Sequence, residues 1–210
     1  MNSWKPLTQH LIIFTRYPEP GKTKTRLIPV LGDVGAANLQ KQMTEQTILQ
    51  VKELQKITSV SFEVRFTGGN LEKMQNWLGN DLGYQFQGEG DLGARMERSL
   101  VNAFNQKAEQ VIIIGTDCPD LNSQILTTAF EQLKNFNLVL GPALDGGYYL
   151  IGLQQPIGEL FMNIPWGTAQ VFAKTVEVAQ KLNLSIGYLP PLADIDRPED
   201  LCKRTLFPSR

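Results

Sequence analysis

The sequence is poor in the residues that build metal cages and covalent staples. It contains two cysteines, Cys118 and Cys202, and one histidine, His10. There is no CxxC pair, so neither a cysteine–histidine zinc site nor a disulfide framework is indicated. No apolar run is long enough to span a bilayer. The opening MNSWKPLTQH lacks the apolar core of a signal peptide, so the expectation is a soluble cytoplasmic protein. Net charge is −1, which gives no global field to draw nucleic acid or an anionic membrane. Any grip on an anion must be local. Repeats, low-complexity tracts and linkers are missing too. The 210 residues are therefore expected to form a single domain over 1–210 with one core, with fraying around Pro208.

What is present is an alternation of strand and helix signals. Strands are expected at LIIF (11–14), VSFEVRF (60–66), YQFQ (84–87), VIIIG (111–115), LVLGPA (138–143), YYLIGL (148–153) and LSIGYL (184–189). Along 60–66 the alternation predicts apolar residues on one side and polar residues on the other. Helices are expected over 34–55, 70–78, from 88–96 to about 106, over 122–134 capped by Asn122 or Ser123, from a Thr168 cap to about 182, and from Pro198. This order predicts an α/β/α sandwich around a mainly parallel sheet. Ligands of such sheets bind at the carboxyl ends of the strands.

Unusual residues collect at those ends. PEPGKTKTRL (18–27) carries Gly21-Lys22-Thr23, which looks like the tail of a P-loop. The glycine a P-loop needs five residues earlier is instead Arg16, and Pro18 and Pro20 remove N–H donors from the would-be cradle. Arg16, Lys22, Lys24 and Arg26 are then candidates to hold phosphate through side chains. If the stretch is extended, its alternate cations point the same way. GTDCPDL (115–121) places Asp117 where a carboxylate can hold a hard divalent ion, and Asp120 either assists or caps the next helix. In GEGDLGARMERSL (88–100), glycines such as Gly90 precede a helix start and offer free N–H groups. Asp91 is a ligand contact or a cap there, and Arg95 and Arg98 are contacts or surface residues. Asp145, Gly146 and Gly147 in GPALDGGYYLIG (141–152) allow close approach to a ligand or form a plain hairpin turn. In PPLADIDRPEDL (190–201), Asp194 and Asp196 are candidates for a second metal carboxylate or for capping. Trp166 in IPWGTAQ either stacks on a sugar or packs in the core. No general base stands out, since His10 lies at the wrong end of the first strand.

The motifs FTRYPEPGKTKTRL, GDLGARM, GTDCPDL, GPALDGGYYLIGL and DIDRPEDL together resemble a family of small bacterial and cyanobacterial GT-A-type glycosyltransferases, some associated with arsenosugar biosynthesis. The resemblance spans residues 11–201. More distantly the layout is similar to 2-phospho-L-lactate guanylyltransferase and the molybdenum-cofactor guanylyl- and cytidylyltransferases. Their DIDTPEDL-like segment differs here by Arg197 in place of threonine. The resemblance implies a nucleotide-diphospho-sugar transferase (GT-A) fold. It implies Mg²⁺ or Mn²⁺ on Asp117 and Asp196, and phosphates on Lys22, Lys24 and Arg26. The base or ribose would lie against 88–96, and the sugar or acceptor beside Asp145, Gly146 and Gly147. Glycosyl transfer from a nucleotide sugar to a small acceptor is the leading expectation. Nucleotidyl transfer from an NTP to a phosphorylated small molecule is the alternative, because the same parts stabilise either leaving group.

Overall fold

The computed structural model describes residues 9–201; Cys202 and the segment around Pro208 lie outside them. Seven strands form one sheet: β1 (Gln9–Arg16), β2 (Ser61–Thr67), β3 (Gly83–Phe86), β4 (Gln110–Ile114), β5 (Leu138–Pro142), β6 (Tyr148–Leu153) and β7 (Ile186–Tyr188). Their order is β3-β2-β1-β4-β6-β5-β7. Only β6 runs antiparallel to its neighbours. The helices are α1 (Ile28–Ile57), α2 (Leu71–Leu78), α3 (Leu92–Asn105), α4 (Ser123–Gln132), α5 (Val171–Lys181) and α6 (Pro198–Leu201). No helix of the described residues is long and apolar enough to cross a membrane.

The central strands are apolar throughout because both faces are covered. Leu11 and Ile13 of β1 and Ile112 and Ile114 of β4 pack with α1, α2 and α4. Ile12, Phe14, Val111 and Ile113 pack on the other face with α3 and α5. The architecture is therefore the expected three-layer α/β/α sandwich.

Several local expectations need correction. β2 does not present a solvated polar face. Arg65 is buried, and its Nε donates to Glu63 Oε1 at 2.6 Å. The alternation itself holds, with Val60, Phe62, Val64 and Phe66 in one cluster; the charged face is covered because Glu63 and Arg65 pair on it. Thr168 does not cap α5, which begins at Val171 with Gln170 as its N-cap. The Thr168 hydroxyl donates to Pro165 O and accepts from Gln170 N, holding the preceding turn. Asn122 is the cap of α4, accepting from Ile125 N at 3.0 Å. α1 is broken at Gly32, whose φ of 69° and ψ of 169° leave the helical region.

The chain runs from β1 outward to β2 and β3, then returns through α3 to β4 on the other side of β1. The sheet changes direction between β1 and β4. In open α/β sheets the crevice outside the carboxyl ends at such a point is the usual ligand site. Thr15 and Arg16 close β1 there, and Thr116 and Asp117 follow β4.

Candidate active site

The loop after β1 is a series of turns, not an extended strand. The Thr23 hydroxyl donates to Tyr17 O at 3.0 Å and accepts from Glu19 N at 3.2 Å. Thr23 thus staples the loop shut and is buried. The alternate-side argument for Lys22, Lys24 and Arg26 accordingly fails. Lys24 instead adopts the left-handed conformation, φ 50° and ψ 44°, which is uncommon for a residue with a side chain. That turn carries its side chain inward, where only 3% of it is exposed. Its Nζ lies 2.8 Å from Asp117 Oδ1 and donates to Ile195 O at 2.5 Å. It lies 4.0 Å from Asp196 Oδ1. Arg26 pairs with the other oxygen of Asp196. Ile195 N donates to Asp117 O at 2.9 Å, and the Ile195 side chain is buried with Leu27, Ala36, Leu39 and Met43. This apolar peg seats the C-terminal segment against the loop and sets Asp194 and Asp196 on either side of it.

Two adjoining cavities result. A cleft of about 310 Å³ is lined by Arg16, Lys22, Lys24, Arg26, Asp117 and Asp196, with Thr23, Thr25 and Gln40. Four cations face two carboxylates there. A second cavity, of about 380 Å³, has the opposite balance: Asp145, Asp194, Asp196, Glu199 and Asp200 face Arg26 and Arg197. Arg26 and Asp196 line both, so their ion pair is the boundary. Burial, with the nearby carboxylates of Asp145, Asp200 and Asp117, holds the Asp194 carboxyl above the usual carboxylate range.

The structure therefore brings Arg16, Lys22, Lys24, Arg26, Asp117 and Asp196 into one cleft, with Asp145 in the adjoining cavity. Gly146 and Gly147 form the turn between β5 and β6. Gly147 N donates to Asp145 Oδ1 at 2.8 Å. Phe172 N donates to Gly146 O at 2.9 Å, docking the turn on α5. Gly90, Asp91 and Arg95 line neither cavity. Asp91 caps α3 by accepting from Ala94 N at 2.9 Å, and Arg95 Nε donates to Gly90 O at 2.8 Å. Arg98 holds Gln87 O and Glu89 O. Gln87 Nε2 donates to Thr15 O, fixing this loop at the carboxyl end of β1. Trp166 packs into the core edge-on to Tyr148, with ring centroids 6.3 Å apart. His10 sits at the opposite end of β1, with Nδ1 2.8 Å from Ser61 Oγ.

The divalent ion implied by the fold can be tested against these donors. Among the described residues no three carboxylate, histidine or cysteine groups converge as a metal cage. Asp117 is half exposed, and its second oxygen accepts no hydrogen bond among the described residues. Asp117 and Asp196 thus fit an ion that brings most of its own ligands as water and phosphate, which is the habit of Mg²⁺. Sequence reasoning missed Gln40 and Ile195. Gln40 had a signal: with Thr44 and Thr47 it places polar side chains on the core-facing stripe of α1.

A crystal structure from Desulfovibrio desulfuricans G20, named as a nucleotide-diphospho-sugar transferase, is 32% identical. It matches 92% of this chain and 84% of its own at a TM-score of 0.87. The inositol-1-phosphate CTP transferase of T. maritima matches at 14% identity and a TM-score of 0.60, over 92% of this chain and 91% of its own. Glucosyl-3-phosphoglycerate synthase of Mycobacterium tuberculosis, solved with Mg²⁺ and UDP, matches at 12% and 0.56, over 93% of this chain and 74% of its own. At those two identities the likeness is of fold alone. No protein of curated function matches the chain. The model of the bacterial family DUF2064, described as an uncharacterized protein conserved in bacteria, matches residues 50–168, and the chain belongs to that family.

Proposed function

We propose that the protein is a metal-dependent glycosyltransferase that moves a sugar from a nucleotide-diphosphate donor to a small acceptor carrying no phosphate. The observation that carries this reading is the opposite charge of the two cavities on either side of Arg26–Asp196. The cationic cleft suits the donor's diphosphate, whose charge Arg16, Lys22 and Arg26 would offset. The acidic cavity suits hydroxyl groups, which donate to carboxylates, and repels a phosphorylated acceptor. Nucleotidyl transfer would set a phosphorylated acceptor against five carboxylates balanced by only Arg26 and Arg197.

Lys24 orients Asp117. A divalent ion on Asp117 and Asp196 would stabilise charge developing on the leaving nucleoside diphosphate. Asp194 has no ion-pair partner among the described residues and faces the acceptor cavity. It would take the acceptor's proton.

The test is a thermal-shift screen of nucleoside diphosphates, nucleotide sugars and NTPs with and without Mn²⁺, followed by product analysis. Binding to the native state raises the melting temperature. A metal-dependent shift with a nucleoside diphosphate or its sugar, with release of that diphosphate on turnover, supports the proposal. Pyrophosphate release from one NTP replaces it with nucleotidyl transfer. No shift with any nucleotide overturns both.

A further inference from the structure

Gln40 is 4% exposed, yet it lines the phosphate cleft. Its Nε2 is surrounded by hydroxyls: Thr44 and Thr116 Oγ1 at 3.1 Å and Thr15 Oγ1 at 3.2 Å. Thr15 and Thr44 also bond each other at 2.8 Å. These partners come from β1, α1 and the turn after β4, so the amide is fixed at the point where the sheet changes direction. Its other end, Oε1, accepts no hydrogen bond among the described residues, and it is not among their sealed, unsatisfied atoms. Since the residue is otherwise buried, that oxygen opens onto the cleft. A nearly buried amide acceptor normally has a partner.

The missing partner must be a hydrogen-bond donor. Phosphate oxygens accept and cannot serve. No neighbouring cation donates to Gln40 Oε1 among the described residues: Lys24 is on Asp117 and Ile195, Arg26 on Asp196, Lys22 Nζ on Glu19 Oε1 at 3.0 Å, and Arg16 Nη1 on Lys22 O at 3.0 Å. A divalent ion held by two carboxylates keeps several waters, and those waters are strong donors. We propose that Gln40 is a positioning residue that accepts a hydrogen bond from a water of that hydrated ion. This rests on the metal-dependent reading above. Partners of this outer kind change metal affinity by about 10–100-fold.

The test needs no turnover. Mn²⁺ alone is titrated into the full chain and free ion is followed by electron paramagnetic resonance, for wild type, Asp117→Asn, Gln40→Leu and Gln40→Glu. Gln40→Leu is expected to weaken Mn²⁺ about tenfold, while Gln40→Glu, which keeps shape and acceptor, binds it at least as tightly as wild type. A purely structural amide would lower the melting temperature and leave the Mn²⁺ affinity alone. Wild-type affinity in Gln40→Leu overturns the inference, as does weakened affinity in Gln40→Glu should the leucine variant not fold. Failure of the wild type to bind Mn²⁺ overturns the metal-dependent reading itself.

Discussion

The Lys24 ammonium sits 2.8 Å from Asp117 Oδ1, with the lysine side chain buried and the aspartate half exposed. The pair joins the turn after β1 to the turn after β4, and the same ammonium reaches Ile195 O. Breaking a fully buried pair costs roughly 3–5 kcal/mol. Exposure of Asp117 screens this one, so Lys24→Ala should cost about 2 kcal/mol, read from a urea midpoint. Lys22, whose side chain pairs with Glu19 on the surface, behaves differently. Lys22→Ala should change stability by less than about 0.5 kcal/mol while weakening pyrophosphate binding several-fold. Equal losses of stability in the two variants would make the loop a structural element only.

Glu63 gives an acid-sensitive contribution. Burial alone would raise its carboxyl, but His10 and Arg65 outweigh burial and hold the group below the usual carboxylate range. A depressed folded value means stability that is present above the ordinary carboxylate pKa and lost as pH falls through the folded value. Unfolding free energy should therefore drop on the acid side of that range. Glu63→Gln should flatten this limb and cost about 3 kcal/mol near neutral pH, because Arg65 is left charged and buried. Denaturant titrations across the acid range check both, and an unchanged acid limb in the variant would refute the assignment.

Gly146 and Gly147 are adjacent but unequal. Gly146 has φ +91°, and a Cβ there would come 2.2 Å from Ala169 O, a backbone atom that cannot swing away. At Gly147 the nearest atom would be Asp145 Oδ1 at 3.1 Å, the end of a side chain. Gly146→Ala should cost about 3 kcal/mol or more, a melting shift of about 6–12 °C. Gly147→Ala should shift it far less. Similar shifts would show that the turn is not docked on α5 as described.

Cys118 directly follows Asp117 in sequence yet is buried. Burial, reinforced by the carboxylates of Asp117, Asp194 and Asp145, pushes its thiol far above the ordinary value. The thiolate is the reactive form. Native protein should leave Cys118 unmodified by iodoacetamide at neutral pH, and denatured protein should lose that protection, as peptide mass mapping will read.

Much of the fold was legible because it rests on short-range pattern. The apolar runs of β1 and β4 announced strands buried on both faces, and Asn122 and Pro198 marked helix starts that the structure keeps. The cations and carboxylates at the carboxyl ends of β1 and β4 were legible for the same reason: sheet topology predicts where unusual residues gather. What was hidden depends on conformations no pattern encodes. Lys24 turns inward through a left-handed backbone, so a lysine that read as one of three equivalent phosphate ligands is instead tied to Asp117. Arg65 belongs to the polar side of β2's alternation and is nonetheless buried. Gln40 sits in a helix whose pattern marks a core-facing stripe without saying which of its polar members reaches a cleft. The family model, covering 50–168, contains Asp117 and Asp145 but neither the loop cations nor Asp196.

The bond from Lys24 to Ile195 spans 171 positions of the chain, and the Arg26–Asp196 pair spans 170. These are among the last contacts a growing polypeptide can make. At roughly 5–20 residues per second, synthesis separates their partners by about 10–30 s. For that interval the first strand and its loop exist while the segment that completes the cleft has yet to be made. Closure of the cleft therefore arrives as a late event in the life of each molecule, and a ribosome-bound chain stalled before Ile195 would lack the carbonyl that Lys24 holds.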